Sequence, residues 1–185
     1  MPNGLARLRV LLLEQREALL SDWLDRIAHT YSSDGGDFLL KQKNRFQNPV
    51  GYALQTETEV LFEQLVGGFD MKVIFPSLEN ILKIRAVQDF TPARAVGIVF
   101  FLKDIIRTRL TAAIREDELF DELFAFESRI DDLALLAFDI FVNCREKLYD
   151  IRAGELRRRY TRLLTRAKIN VQGNDKEDFH REGSL

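Results

Sequence analysis

Between Leu133 and Val142 every residue except Asp139 is apolar. A helix with apolar residues on all sides cannot lie on a surface; neighbours must cover it from several directions. Crossing a bilayer takes about 20 apolar residues, and Asn143, Arg145 and Glu146 end this run well short of that. The run therefore specifies the central helix of an all-α domain. The stretch around it, Ser128 to Lys168, contains no proline and one glycine, Gly154, which predicts one long C-terminal helix.

That helix carries two seams. Leu123, Phe126, Ile130, Leu133, Ala137, Ile140, Cys144, Lys147 and Ile151 follow one another in steps of three and four, the spacing of one helical face. Tyr149, Ala153, Leu156, Tyr160, Leu163 and Ala167 keep the same steps on a side rotated by about 100°. The first seam fits a domain core. The second is narrow and flanked by Arg152, Arg157, Arg158, Arg159, Arg162 and Arg166, which fits a pairing or partner helix.

At 185 residues the chain is long enough for one domain with a real core. Fourteen phenylalanines argue against a disordered polymer. A net charge of −2 offers no general attraction to nucleic acid. The single cysteine, Cys144, rules out an internal disulfide and falls on the apolar seam as an inert thiol. With no secretory signal and no run able to cross a membrane, a cytoplasmic protein without direct membrane insertion is expected.

In chain order, Leu5 to Thr30 reads as a first helix, closed by Ser-Ser-Asp-Gly-Gly at 32–36. Asp37 to Phe46 reads as a short second one. Asn48-Pro49 is an N-cap followed by a proline in the first helical position, and that helix runs to Val66, with Gly67-Gly68 as its stop. A fourth spans about Met71 to Gln88, and Thr91-Pro92 opens a fifth reaching about Arg115. Acidic residues between Glu116 and Glu122 favour the positive dipole end of the last. The architecture expected is a single helical domain, globin-like or a bundle of about six helices, over residues 1–168. A polar, mobile tail over 169–185 follows it.

No catalytic constellation emerges. Two histidines and one cysteine do not make a zinc site. Glu-x-x-His pairs for a di-iron site are missing, and the fourth and fifth helices hold no histidine to bind haem. His29 belongs to a helix end, where an imidazolium complements the dipole. No cofactor or metal is expected. Arg45, Asn48, Arg85, Gln88 and Asp89 are candidate polar or anion contacts, with Arg85 and Asp89 spaced for an i,i+4 ion pair. Phe90, Phe100 and Phe138 are candidate walls of an apolar pocket between the fourth, fifth and last helices.

Three segments carry a resemblance: Lys43-Asn-Arg-Phe-Gln-Asn-Pro-Val-Gly51, Arg85-Ala-Val-Gln-Asp-Phe-Thr-Pro-Ala-Arg-Ala-Val96 and Asp132-Leu-Ala-Leu-Leu-Ala-Phe-Asp-Ile-Phe-Val-Asn-Cys-Arg-Glu-Lys-Leu-Tyr149. In this order they resemble the RsbRD N-terminal domain family, named for RsbT co-antagonist proteins of the bacterial stressosome. The resemblance covers about Leu11 to Arg166. It implies an all-α, non-enzymatic sensory or regulatory input module. The better-known stressosome co-antagonists have haem-free globin-like N-domains that dimerise and signal through a long C-terminal helix into a STAS domain. No such domain follows here, so a stand-alone input module is expected. It would act as a homodimer, with an unidentified regulatory protein partner and not nucleic acid. The alternative is a haem-free domain binding a small ligand between its helices.

Overall fold

The computed structural model describes residues 6–31, 36, 39 and 46–177, with side chains described as far as Arg166. The chain divides into two compact units, 1–145 and 146–185. The described elements are helices α1 (Ala6–Glu14), α2 (Arg16–Ala28), α3 (Pro49–Val66), α4 (Met71–Val87) and α5 (Pro92–Val96), a 3-10 turn (Gly97–Val99), α6 (Phe101–Glu116) and α7 (Phe120–Glu177). No strand occurs among the described residues. The fold is all-α with a long C-terminal helix.

In the first unit the first seam of α7 is the core. Leu123, Phe126, Ile130, Leu133, Ala137, Ile140 and Cys144 are all buried. Burying one large aliphatic or aromatic side chain of this kind contributes about 1.5–3 kcal/mol. Ion pairs fix the register of α6 against α7: Lys103 Nζ lies 2.6 Å from Asp131 Oδ1, and Arg107 grips the buried Glu127 carboxylate through Nε and Nη2, each at 2.6 Å. The N-terminal helices close on the same core. Glu122 Oε2 accepts from Leu8 N at 2.8 Å, and Arg129 Nη1 donates to the Leu65 carbonyl at 3.0 Å.

Two expected helices are interrupted, each beside a contact that is distant in sequence. The first is divided at Gln15 (φ −98°, ψ 11°), beside Arg16, whose guanidinium reaches Glu63 on α3 at 2.8 Å. The segment from Thr91 gives way to a 3-10 turn at Gly97–Val99. There the Ile98 carbonyl accepts the indole N–H of Trp23 at 2.8 Å, an acceptor that α2 supplies with its partner from far away in sequence. The segment expected as a short helix over 37–46 falls mostly outside the described residues.

Other boundaries follow local chemistry. Asn48 Oδ1 accepts from Gly51 N at 2.8 Å and Pro49 takes the first position of α3. Thr91 and Pro92 repeat the arrangement at α5. Pro76 lies inside α4; it removes the bond to the Lys72 carbonyl, but both residues are exposed, so water can take that place. The stop after α3 differs from the glycine expectation. Neither Gly67 nor Gly68 has positive φ; the left-handed residue is Phe69 (φ 52°), whose N–H reaches back to Gln64 O at 2.8 Å. Asp89 (φ 56°) and Glu118 (φ 54°) terminate α4 and α6 in the same backbone region, and the following N–H groups bond to Arg85 O and Ile114 O, a Schellman-type closure.

In the second unit the backbone is helical through Gly154 and on to Glu177, including 169–177 of the segment expected to be a polar tail. Residues 178–185 lie outside the described residues. Ile151, Leu156, Tyr160, Leu163 and Leu164 are exposed. Among the described residues, no helix is long and apolar enough to cross a membrane.

Two outcomes follow. Trp23→Phe leaves the Ile98 carbonyl without its donor and lowers stability by about 1–2 kcal/mol in urea unfolding. On α2, Asp22 is held below the usual carboxylate range, chiefly by its hydrogen bonds from Arg109 and further by the charges of Arg109 and Arg26, against the opposing effect of burial. Its folded pKa thus lies below the unfolded value of about 3.9. The stabilisation is whole above that value and lost as pH falls through the lower one. The stability difference between the wild type and Asp22→Asn should stay constant from about pH 5 to 8 and shrink below about pH 4.

Candidate functional site

The least ordinary residue of the core is a charged one. Arg85, in the last turn of α4, has no exposed surface at all. Its spacing from Asp89 predicts an ion pair, but the left-handed turn at Asp89 sends that carboxylate to Arg145 Nη1 at 2.9 Å. Arg85 turns inward to the end of α2. Nη2 donates to Thr30 Oγ1 at 3.0 Å and to the Arg94 carbonyl at 2.9 Å. Among the described residues, Nε and Nη1 have no hydrogen-bond partner, and neither does the buried Tyr31 hydroxyl. No carboxylate pairs with Arg85 among the described residues.

Aromatic rings and a helix end supply the compensation that is present. Arg85 Cζ lies 4.0 Å from the centroid of Phe90 and 5.3 Å from that of Tyr31, and those two rings meet edge to face at 5.1 Å. A desolvated guanidinium over a ring gains about 2 kcal/mol. Arg94 adds a second cation, with its Cζ 5.1 Å from Phe90 and its Nη2 2.5 Å from the Thr30 carbonyl. Both guanidiniums thus meet the C-terminal end of α2, where the dipole is negative. Burial lowers the Arg85 pKa and raises that of Tyr31, with the charge of each opposing the other's shift. The hydroxyl lies close enough to the guanidinium to oppose both shifts by hydrogen-bonding attraction as well as charge, but no bond of normal geometry joins the two.

The other sequence candidates have separate fates. Asn48 is a buried cap, its Nδ2 donating to Leu39 O at 3.0 Å. Gln88 is the exposed C-cap of α4, and Arg45 lies outside the described residues. Phe90 belongs to the arginine cluster, whereas Phe100 and Phe138 are surface side chains, 43% and 48% exposed. A groove of about 570 Å³ lies elsewhere, between α2 and α3, where Leu20, Leu24, Ile27 and Tyr52 contribute to its walls. On the second seam Tyr149, Ala153, Leu156, Tyr160 and Leu163 are exposed, while the Ala167 side chain lies outside the described residues. No cluster of His, Cys, Asp or Glu suited to a metal ion is found among the described residues.

Thr30, Tyr31 and Arg94 are not among the candidates, because nothing local marks Thr30, 55 positions from Arg85, or its neighbour Tyr31 as partners of that residue. Arg94 stood inside the second resembling segment without a chemical role. The third segment reaches the same corner through Arg145, which donates to the Ala86 carbonyl at 3.3 Å as well as to Asp89.

A family model for the RsbT co-antagonist protein rsbRD N-terminal domain matches residues 17–156. The chain belongs to this family. The match runs from the first turn of α2 into α7, and it brings the assignment of a stressosome-type signalling domain. No curated protein matches the chain, and no solved structure does.

Within this RsbRD N-terminal domain, Phe90→Leu keeps apolar volume but removes the ring beneath both guanidiniums. A loss of about 1–3 kcal/mol is expected by denaturant titration.

Proposed function

We propose that this domain is a non-enzymatic sensory input module that works as a homodimer, paired through the seam Tyr149, Ala153, Leu156, Tyr160 and Leu163. The observation that carries this reading is that the seam's side chains are exposed on an uninterrupted helix, Leu156, Tyr160 and Leu163 by 62–70%. Membership of a signalling family supports it. Steps of four and three place the seam at the a and d positions of heptads, the pattern by which two helices bury each other's apolar rows. A signal that alters packing on the first seam, in the core, would then change the pairing or partner contacts of the second. A regulatory protein takes the output by direct contact, and the setting is cytoplasmic.

The heptad assignment carries an electrostatic consequence. In a parallel pair Arg152 of one copy (position g) faces Arg157 of the other (position e), and these like charges oppose association. Salt screens them, with a Debye length of about 10 Å at 0.1 M. Self-association should therefore strengthen between about 0.05 and 0.5 M salt in analytical ultracentrifugation. Leu156→Glu with Leu163→Glu, or a chain ending at Gly154, should sediment as a monomer throughout. A wild-type monomer at every salt concentration contradicts the homodimer. Capture of an acidic protein that weakens with salt would assign the seam to a different chain instead.

A further inference from the structure

Among the described residues, Arg85 is a fixed positive charge without a counter-ion. Its side chain is fully buried, two of its three nitrogens have no acceptor, and the neighbouring hydroxyl of Tyr31 is a donor with nothing to donate to. A guanidinium carries five N–H donors and no acceptor, and here Thr30 and Arg94 occupy only those of Nη2. Leaving buried charged donors unfilled is among the more costly arrangements in a protein interior. The groups facing the site do not relieve it. Arg94 adds positive charge beside Phe90, Asp89 is engaged by Arg145, and burial keeps the Tyr31 phenol protonated. The rings of Phe90 and Tyr31 stabilise the cation through their faces but accept nothing in the plane where Nε and Nη1 point.

We infer that Arg85 and Tyr31 form a buried binding site for a small singly charged anion, which takes the N–H groups of Arg85 Nε and Nη1 and the O–H of Tyr31. The missing element is one negative charge with several lone pairs in the plane of the guanidinium. Chloride and the carboxylate of a small organic acid share that chemistry, the latter matching the flat donor geometry of arginine. The Phe90 and Tyr31 rings lie against the guanidinium with apolar surface, which favours a compact anion over a heavily hydrated one. The site lies in the first unit and is independent of whether the second seam pairs.

The test exchanges anions at constant ionic strength. Full-length protein is brought into a buffer whose anion is the bulky sulfonate HEPES, then chloride or acetate replaces it stepwise while thermal unfolding is followed. Wild type should show a saturable rise in Tm with at least one of the two, and the one that acts identifies the source of the charge. Arg85→Met, similar in length and without charge, should show no saturable rise and should melt in the sulfonate buffer no lower than wild type. Tyr31→Phe keeps the ring and should bind the active anion about tenfold more weakly. In wild type the Arg85 Nε–H resonance should shift with the same saturation curve. The inference is overturned if neither anion changes wild-type Tm in a saturable way, or if Arg85→Met responds as wild type does. Should Arg85→Met fail to fold, an Arg85 Nε–H resonance unmoved by either anion, or a Tyr31→Phe affinity equal to wild type, overturns it equally.

Discussion

The first unit assembles on one face of α7; Leu135 and Phe138, in the same apolar run, are 69% and 48% exposed, so the run is covered on one side and not from all directions as its composition predicts. Leu133, Ala134, Ala137, Ile140 and Phe141 form the buried side of that run. The ion pairs from α6, the Arg129 bond to the end of α3 and the Leu8 bond to Glu122 are placed where the surrounding helices meet α7. They are polar clasps at the margins of an oily contact. Their contribution lies more in setting register than in net stability, since a charge pair near the surface adds at most about 1 kcal/mol.

The first seam and the helix caps were legible because each depends on near neighbours. Asn48 and Thr91 act through an N–H three residues on, and the seam is periodic within one element. The division at Gln15 and the 3-10 turn at Gly97 were not legible. They lie beside contacts with Glu63 and Trp23, which the chain brings in from 47 and 75 residues away. Glycine misled at Gly67-Gly68, where the left-handed conformation passes to Phe69. At the site, Arg85 was recognised as a polar candidate and given the wrong partner. The i,i+4 spacing predicts Asp89, but helical spacing holds only while the helix lasts, and α4 ends between the two residues.

The resembling segments have a common physical content. The first closes the start of α3 through Asn48; the second buries Arg85 and restarts the chain at Thr91; the third sends Arg145 back to the end of α4. Two of the three meet around one arginine. That corner joins α2, α4, α5 and the core part of α7 through side chains whose hydrogen bonds are directional. An apolar contact tolerates sliding, whereas such bonds do not.

Phe69, Asp89 and Glu118 each hold a left-handed backbone without being glycine, at roughly 1 kcal/mol apiece for a residue with a β-carbon. Set against a net folding free energy of order 5–15 kcal/mol, these joints tax the native state noticeably. A protein engineer seeking a sturdier specimen for crystals would begin at Glu118, which is exposed. Installing glycine there asks nothing of the interior and relaxes the hinge from α6 into α7.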